Sequence, residues 1–257
     1  MNENYLEPLN AWFADYCRGF YTASEADNRN YSLKEIHTHR VRDNMNLLSE
    51  SLGLAPAERT IAQIIALFHD VGRFEQYRRF ATFRDDLSVN HAALGVRVLY
   101  ENRVLAGLPK EDRRTIFRAV ALHNVFRLPL AGNGQDLLQV RLIRDADKLD
   151  IWRIFAEFYG QTEAERASAV GLGFPDTPGC SREALDCLAR REMVRLSMLR
   201  NLNDFKLLQL SWVFDLNFPA SFRLALDRNL IDGISATLLE DRDVVKVVGL
   251  VREYAVE

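Results

Sequence analysis

Apolar residues along this chain recur at three- and four-residue spacing, and no stretch alternates residue by residue for long enough to suggest a strand. The pattern predicts helices near residues 4–20, 31–53, 57–70, 88–105, 110–124, 135–159, 181–201, 203–216 and 219–229, with one or two more before the C-terminus. Gly53, Gly72, Gly107, Gly132 and Gly134 fall between these segments as stop signals. Residues 71–87 are rich in Arg, Phe and Asp, lack a clear period and are expected to form a loop. Residues 160–180 contain Gly160, Gly171, Gly173, Pro175, Pro178 and Gly179 and read as a second long connection. Connections of this length in a compact domain are often functional, and a lid is one such function. The fold class is all-α, with residues 1–257 forming a single unit.

Composition narrows the partners. A chain of 257 residues suffices for one large helical domain or two small ones, and 48% hydrophobic with 27% charged residues is ordinary for a soluble protein. The net charge of −3 supplies no basic field for nucleic acid, and local clusters such as Arg113-Arg114 and Arg190-Arg191 have acids nearby. The longest apolar runs, such as residues 64–68, fall far below the roughly 18 residues of a membrane span. No membrane partner is therefore expected. The acidic start, Met-Asn-Glu-Asn-Tyr-Leu-Glu, lacks the order of a secretory signal, and Cys17, Cys180 and Cys187 form no CxxC pair. A reducing, cytoplasmic compartment is the expectation. A homo-oligomer is left open.

Against this ordinary background, His69-Asp70 stands out at the end of the apolar segment Ile61–Phe68. A buried, unpartnered charge costs several kcal/mol, roughly, so an ion pair or a metal is the usual remedy in such a place. Helical arithmetic brings company to the pair. His37 lies four residues before Val41 on the stripe Val41, Met45, Leu48, Leu52, whereas His39 falls nearly opposite, beside Asp43 and Glu50. His123 shares a face with Ile116 and Val120, and Asp147 with Val140, Ile143 and Ile151. His91 lies one turn before Gly95, where a missing side chain would allow close helix contact. Each residue alone reads as a satisfied core polar group or a local ion pair. Together, four histidines and two aspartates make a poor hydrophobic core and a good nitrogen–oxygen cage. The absence of cysteine from the set favours Mn, Fe, Co, Ni, Mg or Zn in a catalytic setting over a closed structural zinc site.

The ordered set resembles the HD-domain metal-dependent phosphohydrolases, whose motif runs His … His-Asp … Asp, often with two further histidines between. The matching residues are His37-Thr-His-Arg-Val41, Phe68-His69-Asp70-Val71-Gly72-Arg73, Ser88-Val-Asn-His91-Ala-Ala-Leu-Gly95, His123-Asn124 and Asp145-Ala-Asp147-Lys148-Leu149. The resemblance covers residues 30–155 as an HD-type core and leaves 181–257 as a C-terminal helical extension packed on it. It implies that His37, His69, Asp70 and Asp147 bind one divalent metal, and that Asp70 bridges to a second held by His91 and His123. Such a pair of cations would activate water against a small phosphorylated metabolite or nucleotide. Asp70, Lys148 and Arg73 are then the expected catalytic residues.

Arg73, Arg78, Arg79, Arg84 and Lys148 are the candidate phosphate contacts, because guanidinium and ammonium groups suit phosphate oxygens. The alternative for the arginines is a set of surface charges over an aromatic cluster of Phe74, Tyr77, Phe80 and Phe83. Asp85-Asp86 would balance the arginines or cap a helix beginning near Ser88. Two other functions use the same ligand set: a di-iron oxygenase of the HD superfamily, and a non-catalytic module that binds a phosphorylated ligand.

Overall fold

The computed structural model describes residues 5–129, 137–160, 167–238 and 241–257. Helices account for all regular structure among them, and no strand occurs there. The fold class is all-α, as the periodicity predicts. The segment holding Gly132 and Gly134, and the first residues after Gly160, lie outside the described residues.

Two compact units are present. The first takes the described residues through Asp150 together with Ala167–Leu172. It contains α1 (Leu6–Arg18), α2 (Glu25–Ser51), α3 (Pro56–Phe68), α4 (Gly72–Phe80), α5 (His91–Glu101), α6 (Lys110–Leu122) and the first half of α7 (Leu138–Gly160). The second unit takes the rest of α7 and the residues from Gly173 onward. Its helices are α8 (Arg182–Ala189), α9 (Leu202–Ser211), α10 (Pro219–Asp227), α11 (Leu230–Ser235) and α12 (Arg242–Val256).

Local chemistry sets most boundaries. Ser24 Oγ accepts from the Asp27 amide, so α2 begins earlier than the expected residue 31. Pro56 opens α3, and the Glu58 carboxylate accepts from the Ala55 amide just before it. The Asn90 side chain accepts from the Ala93 amide and starts α5 at His91; Asp85 and Asp86 do not cap it. On α2, Val41, Met45 and Leu48 are fully buried, but Leu52 is the exposed C-cap, so the core stripe ends one turn sooner than read.

The segment 71–87 is not a continuous loop. Gly72–Phe80 is helical, with Phe74, Glu75, Gln76 and Tyr77 buried. Its period is hidden because polar Glu75 and Gln76 share the buried side with two aromatics. Phe74 sits in a ring cluster with Phe13, Tyr16, Phe20 and Tyr31, and is stacked on Tyr31 with 6.2 Å between centroids. Fully burying a ring of this size contributes roughly 1.5–3 kcal/mol, enough to hold a nine-residue helix that is too short to persist alone.

In the second unit, the helix expected over 181–201 stops at Ala189, and Arg191 takes a left-handed backbone. Residues 190–201 are instead irregular apart from a short 3-10 turn at Leu196–Met198. The buried Asp204 carboxylate accepts from the amides of Ser181 and Arg200, and Ser211 Oγ accepts from the Val194 amide. These side chains satisfy backbone groups that a continued helix would have paired internally. In the 160–180 connection Gly160 still belongs to α7, and residues 167–180 are non-helical. In the first unit, its Ala169 amide donates to Asn30 Oδ1, and its Leu172 carbonyl accepts from Arg84.

All three cysteines are free thiols. Burial pushes the thiol of fully buried Cys17 far up, that of Cys187 up, and that of Cys180 up to about 11. Native protein at pH 7–8 is therefore expected to react slowly with a disulfide reagent, Cys180 first. All three thiols should react at once in denaturant; rapid native labelling of Cys17 would contradict the packing of α1.

Candidate metal centre

The chain leaves α3 and enters α4 through His69, Asp70 and Val71 alone, so both polar residues stand at a tight corner between helices. Gly72 permits that corner to approach α5. A Cβ built on Gly72 would lie 2.2 Å from the His91 carbonyl oxygen and 2.6 Å from the Gly95 nitrogen. The expected close contact at Gly95 is thus present, made by two glycines facing each other. His91 is the first residue of α5 and is brought to Asp70 by this contact. His123 caps the C-terminus of α6, where buried Arg144 donates to the carbonyls of His123 and Val125. Asn44 on α2 donates to the Ala146 carbonyl and ties α7 to the helix that carries His37.

These supports bring five residues into two groups, His37–His69–Asp70 and Asp70–His91–His123, all buried. Asp70 belongs to both. Its Oδ2 lies 3.6 Å from His37 Nε2 and 3.9 Å from His69 Nε2. Its Oδ1 lies 3.3 Å from His91 Nε2 and 3.7 Å from His123 Nε2. Asp147 Oδ1 approaches His37 Nε2 at 3.1 Å and His69 Nε2 at 3.7 Å. All six residues of the expected ligand set are therefore brought together.

The histidine tautomers follow from what lies behind each ring. Nδ1 of His69 faces the Ala66 carbonyl at 2.8 Å, and Nδ1 of His123 faces the Val120 carbonyl at 2.8 Å. Nδ1 of His37 faces Asp150 Oδ2 at 2.7 Å, and Nδ1 of His91 faces Asp85 Oδ2 at 2.7 Å. Each of these partners accepts, so each Nδ1 carries the hydrogen and each Nε2 is turned inward, where it offers a lone pair whenever the ring is neutral. The lone pairs meet at 3.3 Å for His37 and His69, and at 3.0 Å for His91 and His123. Two acceptors do not bond each other. Nitrogens each about 2.1 Å from one ion, at roughly 90–105° to each other, would be separated by just such distances. Buried Asp147 Oδ1 has no hydrogen-bond donor among the described residues. The donor set thus fits a divalent cation.

Electrostatics separate the rings: burial and Lys34 push His37 down, but the carboxylates of Asp147 and Asp150 outweigh them and raise it, whereas His69 and His91 are lowered. Burial, and then the Arg73 guanidinium, push His91 down to about 3; burial holds His69 at about 4. Both are neutral at pH 7, the form that binds metal. Burial opposes the charge of Asp70, but Lys34, His69 and Arg73 outweigh it and hold the carboxyl well below the usual range. Asp85 behaves alike: burial opposes its charge, while His91, Arg73 and Gln76 hold it at about 2.

The remaining candidates differ in placement. Arg73 lies 3.4 Å from Asp70 Oδ1 and donates to Gln76 Oε1, the Phe83 carbonyl and Asp85 Oδ1. Lys148 is buried on α7 at the position after Asp147. Arg84 pairs with Asp86. Arg78 and Arg79, both more than half exposed, pair with Glu75, and Arg78 also covers Phe20; neither is brought to the cluster. His39 is exposed, edge-on to Phe13.

Two participants escaped the sequence reading. Asp150 lies three residues after Asp147, and Lys34 three residues before His37, each on the inward face of its helix. That spacing was the available signal. In the sequence Asp85 reads only as a counter-charge or cap; the fold adds its bond to His91.

Residues 35–152, a little under half of the chain, match the HD domain family. The matched stretch spans α2 to α7 and includes every histidine and aspartate of the cluster. The comparisons with curated proteins and with solved structures give no match. HD domains are helical and associated with divalent metals and hydrolysis, and the His/Asp groups around Asp70 accord with that.

Gly72→Ala is expected to destabilise the protein by about 1–3 kcal/mol, because the new methyl strikes backbone that cannot yield without moving α5. Urea unfolding checks it; a change under about 0.5 kcal/mol would show that the corner has slack.

Proposed function

We propose that the chain is a metal-dependent phosphohydrolase acting on a small phosphorylated metabolite or nucleotide. In this reading His37, His69, Asp70 and Asp147 hold one divalent cation, and Asp70, His91 and His123 hold a second. The convergence of four inward-facing Nε2 lone pairs on both oxygens of Asp70 carries the proposal. Bound divalent cations supply acidified water and neutralise charge that builds on phosphoryl oxygens.

The chain's own residues do the rest. Asp70 serves both sides, one oxygen to each pair of histidines. Asp150 and Asp85 accept the Nδ1 hydrogens of His37 and His91 and so fix both rings with Nε2 turned inward. Exposure grades from 0% at the side chains of His37 and His69 to 16% at Asp147 and Arg73 and 28% at Asp85. The open side therefore carries the Arg73 guanidinium, anchored by three acceptors and suited to a phosphate oxygen. Lys148 and Arg84 are the further proposed substrate contacts. Hydrolysis adds water across the P–O bond, with the proton passing to the leaving oxygen. It requires no seryl or cysteinyl nucleophile.

The test is phosphate release from a panel of phosphomonoesters, phosphodiesters and nucleotides with Mn, Mg, Co, Ni, Zn or Fe(II). Turnover by wild type and none by Asp70→Ala is expected. Silence of metal-loaded wild type across the panel, or equal turnover by Asp70→Ala, overturns the reading.

A second expectation concerns the carboxylates behind the rings. Asp150→Asn and Asp85→Asn should each weaken Mn(II) binding about 10–100-fold in calorimetry. Mn(II) should also raise the melting temperature of wild type, and a chelator should reverse the rise. Unchanged affinity in both variants would remove these carboxylates from the centre.

A further inference from the structure

Lys34 is a charge that the proposed reaction does not use. It lies on α2 one turn before His37, with only 11% of its side chain exposed. Its ammonium donates to Asp70 Oδ2 at 2.7 Å, and among the described residues Asp70 is its sole hydrogen-bond partner. The ring of Phe83 lies 5.2 Å away.

Arg73, the other cation beside Asp70, is built differently. It sits 3.4 Å from Oδ1 and is tied to three further acceptors, so its planar group is a fixed wall. Lys34 carries a compact charge on a flexible stem and holds one oxygen only. That oxygen is the one that faces His37 and His69; Oδ1 faces His91 and His123. Lys34 therefore acts on one side of a shared carboxylate.

We infer that Lys34 is a resident counter-ion that lowers the cation affinity of the His37–His69 side, so that metal must compete with the ammonium for Oδ2. This rests on the metal-centre reading above. Two opposed demands meet at Oδ2. Without a cation, Asp70 is a buried carboxylate among acceptors, and the ammonium supplies the donor and the charge it needs. With a divalent cation on the same oxygen, the ammonium is a like charge a few ångströms away and repels it. Lys34 thus exchanges metal affinity for stability of the metal-free protein. A lysine that merely held the fold would behave otherwise, because its loss would loosen the fold and the metal site together.

The experiment uses the full chain freed of metal by a chelator, with Mn(II) titration calorimetry and thermal melting of wild type, Lys34→Gln, Lys34→Met and Lys34→Arg. Lys34→Gln retains a donor for Asp70 without the charge, and Lys34→Met removes both. Both should melt below wild type when metal-free, yet bind Mn(II) about tenfold or more tightly in one step. A second step visible only in these variants is the same result. Lys34→Arg should stay near wild type in both measurements. If Lys34→Met does not fold, Lys34→Gln decides. Folded variants that bind Mn(II) no more tightly than wild type in any step overturn the inference alone. A wild type that binds no divalent metal overturns the metal-centre reading and the inference with it.

Discussion

Asp70 needs a donor or a cation on each oxygen in a place from which water is largely excluded, and the first unit is arranged around that need. Its Oδ2 is met by Lys34 and its Oδ1 by the edge of Arg73, and four imidazole nitrogens close the remaining directions. A core of this kind gains nothing from hydrophobic burial at its centre. It depends on apolar helices packed around it, with Ile64, Ile65, Phe68 and Met45 fully buried beside residues that would otherwise be solvated. The polar cluster is costly to assemble, and the apolar surroundings determine whether it can be assembled at all.

Position within the cluster comes from helix ends more than from helix faces. His69 and Asp70 occupy the corner after α3, His91 begins α5, and His123 ends α6. Ends carry unpaired backbone groups, and here those groups are put to use: the Ala66 and Val120 carbonyls take the Nδ1 hydrogens of His69 and His123. The same bonds that satisfy the backbone choose the tautomer. Helix termini therefore serve structure and chemistry through one set of contacts. The paired glycines at positions 72 and 95 are what allow three such ends to meet within bonding distance.

The second unit has its own apolar core and its own buried polar ties. Trp152 donates to the Gln209 carbonyl, Lys206 donates to the Thr237 carbonyl and lies over the ring of Tyr159, and the Asp204 carboxylate organises the turn before α9. Its buried polar groups hold backbone that leaves the helical path. They explain why the chain between α8 and α9 is irregular despite a helical period.

The sequence by itself determined that the chain is helical and that four of its five histidines and two of its aspartates form one chemical set. Apolar spacing reports which face a residue occupies, and an ordered His, His-Asp, His, His, Asp series is readable without distances. It did not determine α4, whose buried side includes Glu75 and Gln76, because a polar residue reads as buried only when its partner is known. For Gln76 that partner includes Asp85, nine residues away. Nor did it determine the roles of Lys34 and Asp150. The bond between His37 and Asp150 joins positions 113 residues apart, and the Lys34–Asp70 pair joins positions 36 apart. Which oxygen of Asp70 faces which pair of histidines, and which ring nitrogen keeps its hydrogen, are matters of a few tenths of an ångström. Only the packing of α2, α5, α6 and α7 around the His69-Asp70 corner decides them.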